Sequence, residues 1–190
     1  MGVFVGPSVG PHQPAFSAVS TTVNTMIMLV EFYRAGDGRL CGWIATPPHR
    51  RAFQGSTMAA GRDLPHDLTQ FTIERALEIR DGFWGLLAHG AWFASVPGRR
   101  PTRQGRALVR AHHDELVQTE RIVNGHYLAW RRGIATPMRP ALDAMYARWR
   151  SLAEGEKLVL EWPVQPLPHR LSHVRRSHAN RRSRYCRGAA

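Results

Sequence analysis

Apolar and polar positions alternate over residues 26–34, where Met28, Val30 and Phe32 share one face and Glu31 and Tyr33 take the other. A period of two is the signature of a strand covered on one side only. A second β-rich run spans 39–45. Between the two runs, Ala35-Gly36-Asp37-Gly38 supplies the positive φ of a tight turn, so the spacing predicts a β-hairpin. Pro47 and Pro48 end the second strand, since proline has no N–H to give the ladder, and 49–62 reads as loop.

The period then becomes that of a helix. Leu64, Leu68, Phe71, Thr72 and Ile79 fall on one arc at about 100° per residue, with Asp63 placed to cap a start at Leu64 and Pro65 in the first turn. Asp67, Glu74 and Glu78 form a separate stripe expected to face water, and Asp81-Gly82 is the expected stop. Residues 83–93 read as a short buried helix whose Gly85, Ala88 and Gly90 let another backbone come close. Thr102 caps a long helix reaching about Arg132, along which Val109, Leu116, Val123 and Trp130 form an apolar stripe. Thr136 and Pro137 open the last helix, which turns Leu142, Met145, Trp149 and Leu152 inward and ends at Gly155. These two long helices are expected to pack as an antiparallel pair.

Residues 157–162 alternate again, as a strand joining the opening hairpin. The expected fold is α+β: a three-stranded antiparallel sheet, made of the N-terminal hairpin plus the C-terminal strand, packed on about four helices. The order is β-β-α-α-α-α-β, over a single domain of residues 26–162.

Composition narrows the class. Hydrophobic residues make up 43% of the 190, enough for a core, and no apolar run reaches the roughly 18 residues of a membrane span. Cys41 and Cys186 cannot make a disulfide framework or a cysteine zinc site by themselves. A cytoplasmic location is expected.

Charge is unevenly spread. Lys and Arg total 26 against 14 acids, a net +12, and Lys157 is the sole lysine. Residues 1–25 carry no charged side chain and lack the basic start of a secretory signal. Their Gly, Pro, Ser and Thr content points to a disordered extension. Residues 163–190 hold seven arginines and no acid, and are expected to be a disordered tail. Such a tail attracts polyanions through counterion release, giving weak nucleic-acid binding centred on Arg175, Arg176, Arg181, Arg182 and Arg184. Tyr185 is its single aromatic, which leaves little for base stacking. A GC-rich codon bias accounts for the arginine excess equally well.

Two segments carry candidate chemistry. In LPHDLTQF, His66, Asp67 and Gln70 occupy the places of a His-Glu-x-x-His zinc motif. Gln70 offers only a neutral amide oxygen and Asp67 is a methylene short of the usual base, so any such site is degenerate. His89 completes the candidate metal set of His66, Gln70 and His89, provided the helices bring them together. The plainer reading is a set of hydrogen-bonded polar groups at a packing seam. No catalytic residue and no cofactor are expected. In GRRPTRQGR, Arg99, Arg100, Arg103 and Arg106 surround a helix start, where guanidinium forks and free N–H groups suit an anion. The alternative there is a solvated loop whose arginines pair with the acidic stripe.

Together LPHDL, GFWG, RRPTRQGR, AWRRG and LVLEW make residues 26–162 resemble an uncharacterised family of small bacterial proteins. The resemblance implies a genuine folded unit and brings no activity, cofactor or partner. The functional expectation is a non-enzymatic intracellular binding module for an unknown protein or anionic ligand. The alternatives are a degenerate metal-dependent hydrolase-like protein centred on His66 and a nucleic-acid-associated protein acting through its tail.

Overall fold

The computed structural model describes residues 26–36, 38–60 and 63–168. The expectations for residues 1–25, for Cys186 and for the tail arginines from Arg170 onward lie outside the described residues.

The hairpin forms as its alternation requires. β1 (Met26–Ala35) pairs antiparallel with β2 (Leu40–Thr46), and Gly36 and Gly38 adopt φ of 57° and 80° in the turn between them. β5 (Lys157–Val164) runs antiparallel along the other side of β1, with Phe32 opposite Leu158 and Met26 opposite Val164. It continues two residues past the expected end at Trp162. Pro163 is tolerated because β5 pairs only with β1 and so lies at the sheet edge. The stretch expected as loop adds two short strands, β3 (Phe53–Gln54) and β4 (Met58–Ala59), both paired to β2. Among the described residues the antiparallel sheet therefore has five strands rather than three, in the order β3-β2-β1-β5 with β4 beside β2.

Among the described residues, five helices accompany the sheet. α1 (His66–Ala76) begins two residues later than expected, with Pro65 at its cap position and no side-chain cap. Asp63 is instead engaged by Arg131 at 2.8 Å. α2 (Phe83–Ala88) is short, and the long helix expected from Thr102 is two: α3 (Arg103–Ala111) and α4 (His113–Arg131). Thr102 does cap α3, its Oγ1 accepting the Gly105 N–H at 2.9 Å. The break falls at His112, which is buried. α5 (Arg139–Ser151) buries Leu142 and Trp149. Both α4 and α5 pack on α1, and Trp130 near the end of α4 donates to Asp143 of α5 at 2.7 Å.

One hydrophobic cluster joins Met28, Val30 and Phe32 of β1, Trp43 of β2, Leu68, Phe71 and Ile73 of α1, Trp84 and Leu87 of α2, and Leu160 and Trp162 of β5. Aromatic rings meet edge to face at its centre, Trp43 with Trp84 at 5.0 Å and Phe71 with Trp162 at 5.3 Å between centroids. Burying one such ring removes roughly 150–250 Å² from water, about 4–6 kcal/mol apiece. The opposite sheet face is open and exposes Ile27, Leu29 and Val159. Within the described residues, no helix is long and apolar enough to cross a membrane.

Candidate functional site

The α1 segment places His66, Asp67, Gln70 and Glu74 within about 100° of helical arc, beside the arc that packs in the core. Asp67 is held by the indole of Trp43, whose Nε1 donates to Oδ2 at 2.7 Å. Its Oδ1 pairs with His66 Nδ1 at 3.3 Å, and His66 Nε2 faces Glu120 Oε2 of α4 at 4.0 Å. Gln70 Nε2 donates both to Glu120 Oε1 at 2.7 Å and to Glu74 Oε1 at 2.9 Å. One polar chain thus runs from Trp43 through both helices to Glu74, hydrogen-bonded throughout except at the 4.0 Å contact between His66 and Glu120.

Glu74 overturns the expectation of a solvated stripe, for it is fully buried. It accepts the backbone N–H groups of Phe83 and Trp84, each at 3.0 Å, and so caps α2 from a neighbouring helix. α2 has no side-chain cap of its own, and its first-turn N–H groups would otherwise be buried without partners. Gly82 makes room: a Cβ there would lie 2.5 Å from the Glu74 carboxyl carbon. Burial pushes the Glu74 carboxyl up to about 8, against the downward pull of the N–H donors. The hydrogen bond to Asp67 raises His66 above its ordinary value, burial acting in the opposite direction. Asp67 is likewise only partly exposed.

The candidate metal residues separate. His66 and Gln70 meet at Glu120. His89 follows α2, pairs through Nδ1 with the Gly85 carbonyl at 2.9 Å, and lines a cleft beside β5 with Glu74, Arg80 and Trp162, in which His66 has no part. Among the described residues, no three His, Cys, Asp or Glu side chains gather in a metal-holding group. Cys41 is buried, and desolvation followed by the nearby Asp67 charge pushes its thiol up to about 12, so it is a poor nucleophile.

The arginine segment is partly built into the fold. Arg99 Nη1 donates to the Leu87 carbonyl at 2.9 Å, and its guanidinium lies over the Phe53 ring at 4.8 Å. The Arg99 carbonyl accepts from Trp92 Nε1 at 3.0 Å. Arg100, Arg103 and Arg106 are exposed, and Arg106 stacks over Trp92 at 5.3 Å. Arg103, Arg106 and Arg110, spaced along one side of α3, line an open groove. The acidic stripe does not neutralise them, since Asp67 and Glu74 are bound to the groups just described. No ion pair among the described residues involves Arg50, Arg99, Arg100, Arg103, Arg106 or Arg110.

Sequence reasoning missed Trp43, Glu120 and Arg50, which arrive from distant elements and carry no local signal. Glu74 had one: a carboxylate four residues after Gln70, followed by a Gly-Phe-Trp helix start that lacks a capping side chain. No known family, curated protein or solved structure matches the chain.

Proposed function

We propose that this protein is a non-enzymatic, cytoplasmic binding module that recognises an anionic partner through Arg99, Arg100, Arg103, Arg106 and Arg110. The observation that carries this reading is the groove along α3, lined by Arg103, Arg106 and Arg110 with no carboxylate paired to them among the described residues. Exposed guanidiniums that no internal acid neutralises attract polyanions and release counterions on contact.

Heparin retention as a function of salt tests the reading. Replacing Arg103, Arg106 and Arg110 together by Ala is expected to bring elution to clearly lower salt with the fold intact. A second variant, with Arg175, Arg176, Arg181, Arg182 and Arg184 replaced by Ala, isolates the tail. If that variant alone loses retention, the basic face is not the binding surface, and association through the tail, including with nucleic acid, takes its place.

A second reading, a metal-dependent hydrolase-like site centred on His66, is favoured by one arrangement: Asp67 on the Nδ1 side of the ring and Glu120 facing Nε2. A carboxylate behind an imidazole orients it as a metal ligand in many sites. Metal analysis of purified protein decides between the readings. Stoichiometric metal that is lost in His66→Ala would reverse their order.

A further inference from the structure

Arg50 and Arg99, far apart in sequence, bring their guanidiniums to one point of the surface. A Cβ built on Gly90 would lie 3.0 Å from Arg50 Nη1 and 3.5 Å from Arg99 Nη2, so these two nitrogens are at most 6.5 Å apart. Arg50 is placed by its backbone, and Arg99 is held by its side-chain contacts. Arg50 ends the turn after β2, which closes through its N–H to the Pro47 carbonyl at 3.3 Å and holds His49 in the left-handed region at φ 55°. Arg99 is fixed by the Leu87 carbonyl and by the Phe53 ring. Gly90 itself sits at φ 101°, a backbone that glycine accepts readily, and the missing side chain leaves the space between the two cations clear.

The first turn of α3 packs directly behind, with a Cβ on Gly105 reaching within 2.7 Å of the Gly90 carbonyl. Like charges held this close repel, and no acid among the described residues offsets them. Burial, and after it the Arg50 charge, holds the Arg99 guanidinium below its ordinary value.

We propose that Arg50 and Arg99 form a clamp for a single phosphate group above Gly90. This rests on the anion-binding reading and names the group that anchors the partner. An oxyanion that accepts one charge-assisted bond of about 2.7–2.9 Å from each guanidinium spans a gap of this size. A phosphate carries nearly two negative charges near neutrality and matches the pair in number. Free phosphate and a phosphate monoester share this chemistry.

The test uses the full chain in phosphate-free, low-salt buffer, with inorganic phosphate and phenyl phosphate titrated separately against thermal stability and the Gly90 amide resonance. Saturable binding is expected, weakened at least tenfold in Arg50→Gln and in Arg99→Lys. Tighter binding of phenyl phosphate would assign the clamp to a monoester, and equal or tighter binding of inorganic phosphate to the free ion. Arg50 is exposed, so Arg50→Gln keeps the test decisive even if Arg99→Lys fails to fold. Without ligand, Arg50→Gln should melt higher than the parent, because the repulsion is gone.

Equal phosphate affinity in Arg50→Gln and the parent overturns the clamp, as does an identical response to acetate at matched ionic strength. Absence of saturable phosphate binding alongside intact heparin retention through α3 overturns the clamp and leaves the binding module standing. Loss of both removes the underlying reading as well.

Discussion

Trp43 Nε1 donates to Asp67 Oδ2 at 2.7 Å, joining the central hairpin to the first helix by a polar contact at the edge of the aromatic core. The indole is buried and its ring touches those of Phe53, Phe83 and Trp84. Trp43→Phe removes the donor and part of the ring together. We expect a loss of about 2–3 kcal/mol, from the lost hydrogen bond and the cavity combined. Denaturant unfolding checks it: the midpoint should fall at constant slope, and an unchanged midpoint would mean the contact contributes nothing.

Stability should fall as pH rises through the neutral range. Glu74 has an ordinary value of 4.5 and is raised to about 8 in the fold, so between those values the native state binds the extra proton. Its contribution is therefore complete below about 4.5 and lost by about 8, in total no more than about 5 kcal/mol at about 1.4 kcal/mol per unit. His66 is raised above 6.5 and acts in the same direction, its contribution present at lower pH and lost above. Glu74→Gln should flatten the profile between about 4.5 and 8, the range over which the native carboxyl keeps its proton. A parent profile that already rises with pH there would refute the burial argument.

The imidazole of His66 offers a direct probe of the network. Its raised value comes first from the Asp67 hydrogen bond. In an NMR titration the parent ring should titrate above 6.5, and in Asp67→Asn the midpoint should drop towards or below it. Identical midpoints in the two proteins would show that the pair does not persist in solution.

Gly82→Ala tests the cap that Glu74 places on α2. The backbone there, at φ −77°, accepts alanine, so any cost is steric. The new methyl would displace a carboxyl group already held by three N–H donors, and about 1–3 kcal/mol should be lost. Hydrogen exchange at Phe83 and Trp84 locates the damage. Protection there should collapse before that of the sheet.

His112→Leu should stabilise the protein. This ring is buried where α3 meets α4, and its Nδ1 has no hydrogen-bond partner. A leucine of similar size removes an unsatisfied polar atom, with a gain of about 1 kcal/mol. A lower melting temperature in the variant would show that the ring is needed to break the helix.

What the chain determines by itself is local. The alternation of 26–34, the glycines of the turn and the Thr102 cap are written in neighbouring residues, because strand pleat, positive φ and helix capping act within a few positions. The same locality explains the errors. A continuous apolar stripe hid the break at His112, and strands as short as 53–54 and 58–59 exist only because β2 offers them an edge. Glu74 read as surface because periodicity reports the angle around a helix and not what lies opposite. Only the tertiary structure decided that α2 would lie there with unpaired N–H groups, that Glu120 would reach His66 and Gln70, and that Arg50 would meet Arg99. These are contacts between residues distant in sequence, and their partners become neighbours only when the core closes.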